Sequence, residues 1–195
     1  EEGDAEPRLW CVDVASGDVR TICEDTLDVA HPSALHWDPD DQLVLTRASE
    51  GRHQVVGVDP ARNAFEVLLD GDHQIGAFCA TPAHLLYTVD HPATPSELWC
   101  SARQPGSAAR KLSAFNAWWS ERRGIQVQRM GFELADGAGG TERIEGWLLR
   151  EAGRTGPMPV LNDVHGGPAS YALLDFASGV YWRALCHRGW AVLLL

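Results

Sequence analysis

Short apolar runs alternate with turn residues over roughly the first 115 positions, and the alternation repeats. Three runs (residues 9–13, 55–59 and 98–100) are each followed by a turn and a further β-prone run (residues 19–22, 65–69 and 111–113). The first members begin 46 and 43 residues apart, and two more matching runs lie between them at 43–46 and 85–88. A period of this length built from four short strands is typical of β-propeller blades. An ordinary meander or sandwich of short strands is the alternative.

The repeat accounts for about two to three blades, fewer than the roughly 4–8 of a complete propeller, so we expect further blades upstream. Three tryptophans, Trp10, Trp37 and Trp99, recur at comparable positions of the repeat. We expect them to be core aromatics of the blades rather than a ligand cage.

The pattern changes after residues 113–124, which are predicted to be a short helix or an extended linker. Residues 125–132 and 143–149 predict a hairpin, and an apolar run from Val160 predicts a further strand. Residues 181–187 fit a helix that places Tyr181, Ala184 and Leu185 on one face and stops at Gly189. The continuously apolar residues 190–195 are typical of a central parallel strand.

Charge divides the chain at a similar place. The net charge is −11, with 8 Lys and Arg against 19 Asp and Glu in residues 1–120, and 8 against 8 thereafter. An acidic first region disfavours nucleic acid as a partner and either attracts cationic ligands or serves only solubility. No apolar run approaches the roughly 18 residues of a membrane span.

The five cysteines (Cys11, Cys23, Cys79, Cys100 and Cys186) lack a C-x-x-C pair and metal-ligand spacing. They predict reduced, mostly buried thiols in a cytoplasmic protein without zinc. The chain begins without Met and ends inside an apolar run, so we expect a fragment whose missing start would carry any signal peptide. Exposed apolar edges of such a fragment predict aggregation when it is expressed alone.

Candidate chemistry centres on the His-Gly-Gly-Pro sequence of residues 165–168, which directly follows the run from Val160. Paired glycines after a strand let the backbone approach a ligand closely. In α/β-hydrolases a loop of this kind supplies a backbone N–H to the oxyanion hole. An ordinary strand-to-helix turn without a ligand is the alternative.

The order of these elements resembles the prolyl oligopeptidase family of serine peptidases, most closely its acylaminoacyl peptidase and dipeptidyl aminopeptidase branches. The resemblance rests on Asp136-Gly137, on residues 144–147 (Ile-Glu-Gly-Trp), on residues 163–168 and on residues 188–192 (Arg-Gly-Trp-Ala-Val). It implies the C-terminal blades of a β-propeller in residues 1–116. Residues 117–195 would be the N-terminal portion of an α/β-hydrolase domain, truncated before the nucleophile elbow.

The same resemblance implies an oxyanion-hole role for the N–H groups of Gly166 and Gly167, favouring Gly167, and a positioning role for His165. A structural histidine is an equally good interpretation of His165. The chain contains no Gly-x-Ser-x-Gly elbow, and Ser170 and Ser178 lack the glycines two positions before and after that form it; they fit a loop and a helix cap. We therefore expect nucleophile, acid and base beyond Leu195 and no activity from this chain alone.

The parent protein is thus predicted to be a serine peptidase that hydrolyses short peptides through an acyl-enzyme. It would need no cofactor or metal, and would bind peptides rather than nucleic acid or membranes; the oligomeric state stays open. A carboxylesterase of the same fold and a propeller binding module with a degenerate hydrolase are the alternatives. The other histidines are scattered and predicted to be loop or surface residues: His31, His36, His53, His73, His84, His91 and His187.

Overall fold

The computed structural model divides into two compact units. It describes residues 7–30, 33–37, 42–135, 137, 139–166, 172, 174–177 and 179–195. The first unit comprises Glu1–Val89 and Glu97–Ala114, and the second comprises Asp90–Ser96 and Phe115–Leu195.

The first ten strands of the described residues form three sheets. They are β1 (Leu9–Val12), β2 (Val19–Ile22), β3 (His36–Trp37), β4 (Leu43–Ser49), β5 (Arg52–Asp59), β6 (Ala64–Leu69), β7 (Gln74–Ala80), β8 (His84–His91), β9 (Thr94–Ala102) and β10 (Arg110–Lys111). β1 pairs with β2, and the two four-stranded sheets have the orders β3-β4-β5-β6 and β10-β9-β8-β7. The turn between β8 and β9 belongs to the second unit.

The repeat predicted from the sequence is present as two successive four-stranded sheets. β5 begins at Arg52 and the corresponding β9 at Thr94, 42 residues later. Alternate side chains of a strand point to opposite faces of the sheet, and β4 and β5 are buried on both faces. One core is built around Leu45, Val56 and Val58 and a second around Val55, Leu85 and Tyr87.

The expectation of three core tryptophans is wrong for two of them. Trp10 is 58% exposed and Trp37 is 55% exposed. Both line an open hollow of about 130 Å³ in the first unit, together with the largely exposed Leu35. Trp99 packs against the second core while staying partly exposed. Matching strand positions therefore did not fix burial, which depends on what covers each sheet face.

The second unit begins with a 3-10 helix (Ala117–Glu121) and then forms a single mixed sheet. Its strands are β11 (Ile125–Ala135), β12 (Thr141–Glu151), β13 (Val160–Asp163) and β14 (Ala191–Leu194), with helix α1 (Val180–His187) between the last two. The sheet order is β11-β12-β14-β13. β11 and β12 form the predicted hairpin, β12 is antiparallel to β14, and β13 is parallel to β14.

Helix α1 packs against this sheet with a face that the sequence pattern did not predict. Tyr181 and Ala184 are exposed, whereas Trp182, Arg183 and Cys186 are buried. Trp182 and Cys186 join Leu149 and Val192 in the core of the unit. The N-cap residue is Gly179, which has no side chain to form a capping hydrogen bond. Ser178, the predicted cap, lies outside the described residues.

Gly189 ends the helix as expected. Its φ of 93° lies in the left-handed region that favours glycine. Among the described residues, we find no helix with the length and apolar character needed to cross a bilayer.

Candidate functional site

The His-Gly-Gly-Pro loop leaves the sheet at the carboxyl end of β13. This strand is parallel to β14, with Val160 opposite Ala191 and Asp163 opposite Leu194, so the two carboxyl ends lie side by side. Ligands of open α/β sheets bind outside the carboxyl ends of parallel strands. The loop is therefore at the edge of the sheet where such sites form.

His165 and Gly166 are both exposed at this edge. The backbone N–H of His165 donates to the carbonyl of Leu195 at 3.5 Å. The ring Nδ1 of His165 lies 2.8 Å from the carbonyl oxygen of Gly166, which only accepts, so Nδ1 carries the proton in this contact. A structural histidine would make the same hydrogen bond to nearby backbone, so this contact fits both interpretations of His165.

Gly166 has open space where a side chain would lie. A Cβ built on it meets no atom of the described residues within 4 Å, and its φ lies outside the left-handed region. Neither crowding by these residues nor backbone conformation therefore demands glycine at this position. Gly167, the favoured amide donor, and Ser170 lie outside the described residues, so their predicted roles stay predictions.

Asp163, the last residue of β13, is tied to helix α1 through its side chain. Its Oδ2 accepts a short hydrogen bond from the Tyr181 hydroxyl and one of 2.5 Å from the Trp182 indole N–H. The bond to Asp163 raises the pKa of the Tyr181 hydroxyl, and burial acts in the same direction. The strand that carries the loop is thus fixed to the helix that follows it.

A second polar network surrounds the buried guanidinium of Arg183. It donates to the carbonyls of Pro92 (3.1 Å) and Phe176 (2.7 Å), and it lies 3.7 Å from the centroid of the Phe176 ring. The Asp90 carboxylate accepts from the backbone N–H of Phe176 at 2.9 Å, and the Trp119 indole packs edge-on against Phe176. All five residues belong to the second unit.

Burial governs the charges of this network. It raises the pKa of the Asp90 carboxyl, while the hydrogen bond from Phe176 acts in the opposite direction. Burial also lowers the pKa of the Arg183 guanidinium, against the attraction of Asp175 and Asp90. Hydrogen bonds to backbone carbonyls compensate a buried cation, so we interpret this network as structural.

The other candidate residues do not assemble into a site. Within the described ranges, no group of three or more His, Cys, Asp or Glu side chains could hold a metal ion. His53 is buried in β5 rather than exposed, with Nδ1 3.4 Å from the Ile75 carbonyl, and burial lowers its pKa. His31 lies outside the described residues.

All five cysteines are free. Only Cys23 and Cys186 are buried, and Cys79 is exposed. The expectation of mostly buried thiols is wrong because β-prone runs place alternate residues on opposite faces of a sheet.

Sequence reasoning missed both polar networks. Asp163 is 18 residues from Tyr181, and Arg183 is 91 residues from Pro92, so no local periodicity links the partners. In the sequence, Asp163 stood out only as the first residue of the motif at residues 163–168. A buried Arg on a helix face has no sequence signal at all, because its partners are backbone carbonyls.

Comparison with known proteins gives matches by structure alone. No protein-family model matches the chain. No curated protein matches it either.

Three solved structures illustrate the likeness in fold. An acylaminoacyl peptidase in complex with Z-Gly-Gly-Phe-chloromethyl ketone superposes with a TM-score of 0.67 and 20% identity over 91% of this chain. For an isopeptidase the TM-score is 0.67, with 14% identity over 91% of this chain. For a prolyl endopeptidase the TM-score is 0.61, with 16% identity over 100% of this chain. The matched parts are 26%, 27% and 29% of those chains, so this chain spans about a quarter of their length.

The described residues therefore have the fold that peptidases of the prolyl oligopeptidase family adopt over a corresponding part of their chains. In this chain, the described residues are mostly β: they form four sheets and one α-helix. At these identities the likeness concerns the fold alone.

Proposed function

We propose that this chain is the junction of a β-propeller and an α/β-hydrolase domain in a serine peptidase. Residues 1–116 would supply C-terminal blades, since two successive four-stranded sheets follow the predicted period. Residues 117–195 would open the hydrolase domain. The pair β13–β14 supports this, because parallel strands joined through a helix are the unit of which such a domain is built, while β11–β12 and β12–β14 are antiparallel.

The observation that carries the proposal is the place of the loop at residues 165–168. It leaves the carboxyl end of β13 beside β14, and its described part is exposed. Backbone N–H groups at such a point are suited to stabilise the negative charge on a carbonyl oxygen under attack. Removing one such donor costs about 2.7–4 kcal/mol of transition-state stabilisation in hydrolases.

The reaction would proceed through an acyl-enzyme. A serine downstream of Leu195 attacks the scissile carbonyl, a histidine takes its proton and returns it to the leaving amine, and an acid orients that histidine. Water then hydrolyses the acyl-enzyme. In this chain Gly166 and Gly167 would donate to the oxyanion, and His165 would hold the loop through its bond to the Gly166 carbonyl.

Short peptides are the proposed substrates. The matches to the acylaminoacyl peptidase, the isopeptidase and the prolyl endopeptidase cover 91%, 91% and 100% of this chain, which favours a peptidase over the alternative carboxylesterase. No cofactor or metal enters the proposed reaction.

The proposal is tested on the full-length protein with chromogenic peptide anilides, acyl-amino anilides and p-nitrophenyl esters, together with a fluorophosphonate probe. We expect covalent labelling and faster turnover of peptide anilides than of esters of equal acyl length. Labelling with ester turnover alone would favour the carboxylesterase. Peptide binding without labelling or turnover would favour a non-catalytic binding module.

A further inference from the structure

The carboxylate of Asp163 accepts two side-chain hydrogen bonds, and the pairing of β13 in the sheet requires neither of them. It accepts from two consecutive residues of α1, Tyr181 and Trp182. Trp182 is 6% exposed, so its indole N–H needs a partner within the protein. Tyr181 is 48% exposed, so water could satisfy its hydroxyl and burial does not demand this second bond.

The backbone of the same residue is held from the opposite side. The carbonyl of Asp163 accepts from the N–H of Leu195 at 3.2 Å, and the carbonyl of Leu195 accepts from the N–H of His165 at 3.5 Å. Asp163 is thus fixed to β14 by its main chain and to α1 by its side chain. The exposed loop residues His165 and Gly166 begin only two positions later.

We propose that Asp163 is a positioning residue that sets the direction in which His165 and Gly166 leave the sheet, and hence the aim of the Gly166 amide. This inference rests on the proposed peptidase function. An amide donor must lie about 2.7–3.1 Å from the oxyanion, and a displacement of about 1 Å costs about 10²-fold in rate. A strand end fixed on two sides limits such displacement.

A carboxylate suits this role better than its amide. The phenol and the indole both donate to it, and an ionised carboxylate only accepts. Because both bonds end on Oδ2, the amide oxygen of Asn could accept both of them, but without the negative charge that strengthens them. Asp163→Asn therefore weakens the attachment while keeping size and shape.

Glu145 offers a matched control. Its carboxylate also accepts from two side chains, Arg129 at 2.8 Å and Arg143 at 3.1 Å, but it lies on the β11–β12 hairpin. Glu145→Gln removes a comparable pair of charge-assisted bonds without touching β13 or α1. Any loss of activity shared by both variants is then an effect of general destabilisation.

The experiment compares Asp163→Asn, Tyr181→Phe and Glu145→Gln in the full-length protein. We expect Asp163→Asn to lower kcat by about 10–100-fold with KM within about twofold, because the aim of an oxyanion donor affects the transition state rather than substrate binding. Tyr181→Phe lowers kcat less. Affinity for a peptide aldehyde, which mimics the tetrahedral intermediate, falls in parallel with kcat/KM, and Glu145→Gln leaves both within about twofold.

The double variant Asp163→Asn/Tyr181→Phe gives a smaller loss of kcat than the product of the two single losses, since both changes act on the same bond. An unchanged kcat in a folded Asp163→Asn enzyme overturns the inference and leaves the peptidase assignment intact. If Asp163→Asn does not fold, an unchanged kcat in Tyr181→Phe overturns it instead. A wild-type protein with neither turnover nor fluorophosphonate labelling refutes the proposed function, and this inference with it.

Discussion

At the scale of single residues, Arg183 shows how partners decide whether a charged side chain is buried. Arg183 as a whole is 8% exposed. Its guanidinium donates to two backbone carbonyls and stacks on Phe176. Pro92, which supplies one of these carbonyls, is itself fully buried. Without the guanidinium, both acceptors would lose a hydrogen bond away from water, and each such loss costs about 1–3 kcal/mol.

Arg183→Met should therefore destabilise the protein by at least about 2 kcal/mol, even though Met fills a similar volume. Urea unfolding of the full-length protein measures this difference. Arg188→Met is the matched control because Arg188 lies at the end of the same helix and is exposed; it should change stability by less than about 0.5 kcal/mol. Equal effects of the two substitutions would show that the carbonyl contacts of Arg183 do not stabilise the fold.

At the scale of elements, the packing of β12 on β14 requires a residue without a side chain at Gly146. A Cβ there would lie 2.3 Å from the carbonyl oxygen of Leu194 and 2.7 Å from Cδ2 of Leu195. The first of these is backbone, which cannot move without shifting β14. This gives a physical reason for the glycine in the Ile-Glu-Gly-Trp sequence of residues 144–147.

Gly146→Ala should lower the free energy of unfolding by about 3 kcal/mol, because the backbone atoms that the added methyl group meets cannot move away without disturbing the sheet. Gly124→Ala serves as the control, since a Cβ there meets only the Ala152 Cβ, at an ordinary 3.9 Å. Scanning calorimetry of the full-length variants should show a lower Tm for Gly146→Ala alone. If the Gly146→Ala protein has the same Tm as the wild type, β12 and β14 are farther apart than described.

At the scale of the whole molecule, the 195-residue chain exposes large apolar side chains despite its net charge of −11. Trp10, Leu35 and Trp37 all line the hollow of the first unit, and each is more than half exposed. Contiguous exposed apolar surface promotes association in water, and scattered surface charge opposes it. Since the described residues that line this hollow include no acidic side chain, association should prevail.

The 195-residue polypeptide expressed alone should therefore self-associate, and Trp10→Glu/Trp37→Glu should raise its monomeric fraction. Size-exclusion chromatography with light scattering measures both. Val14→Glu/Val19→Glu is the control, since Val14 is 97% and Val19 58% exposed and neither lines the hollow; the same two added charges there should have a smaller effect. A monodisperse wild-type monomer with one cooperative melting transition would contradict the prediction.

The sequence by itself determined the order and kind of the elements. Short apolar runs located three strands of each four-stranded sheet, β4 to β6 and β8 to β10, but not β3 or β7, and Gly189, which adopts a left-handed φ, marked the end of α1. The loop at residues 165–168 was placed directly after a strand, and the described part of it lies there. These features depend on local periodicity and backbone conformation, which neighbouring residues set.

Only the tertiary structure decided which faces and side chains meet. The buried face of α1, the exposure of Trp10 and Trp37, the carbonyl partners of Arg183 and the attachment of Asp163 to α1 were not predicted. Each depends on residues far apart in sequence that come together only when strands pair and the helix crosses the sheet. Burial and hydrogen bonding are properties of such neighbours, so a pattern along the chain cannot specify them.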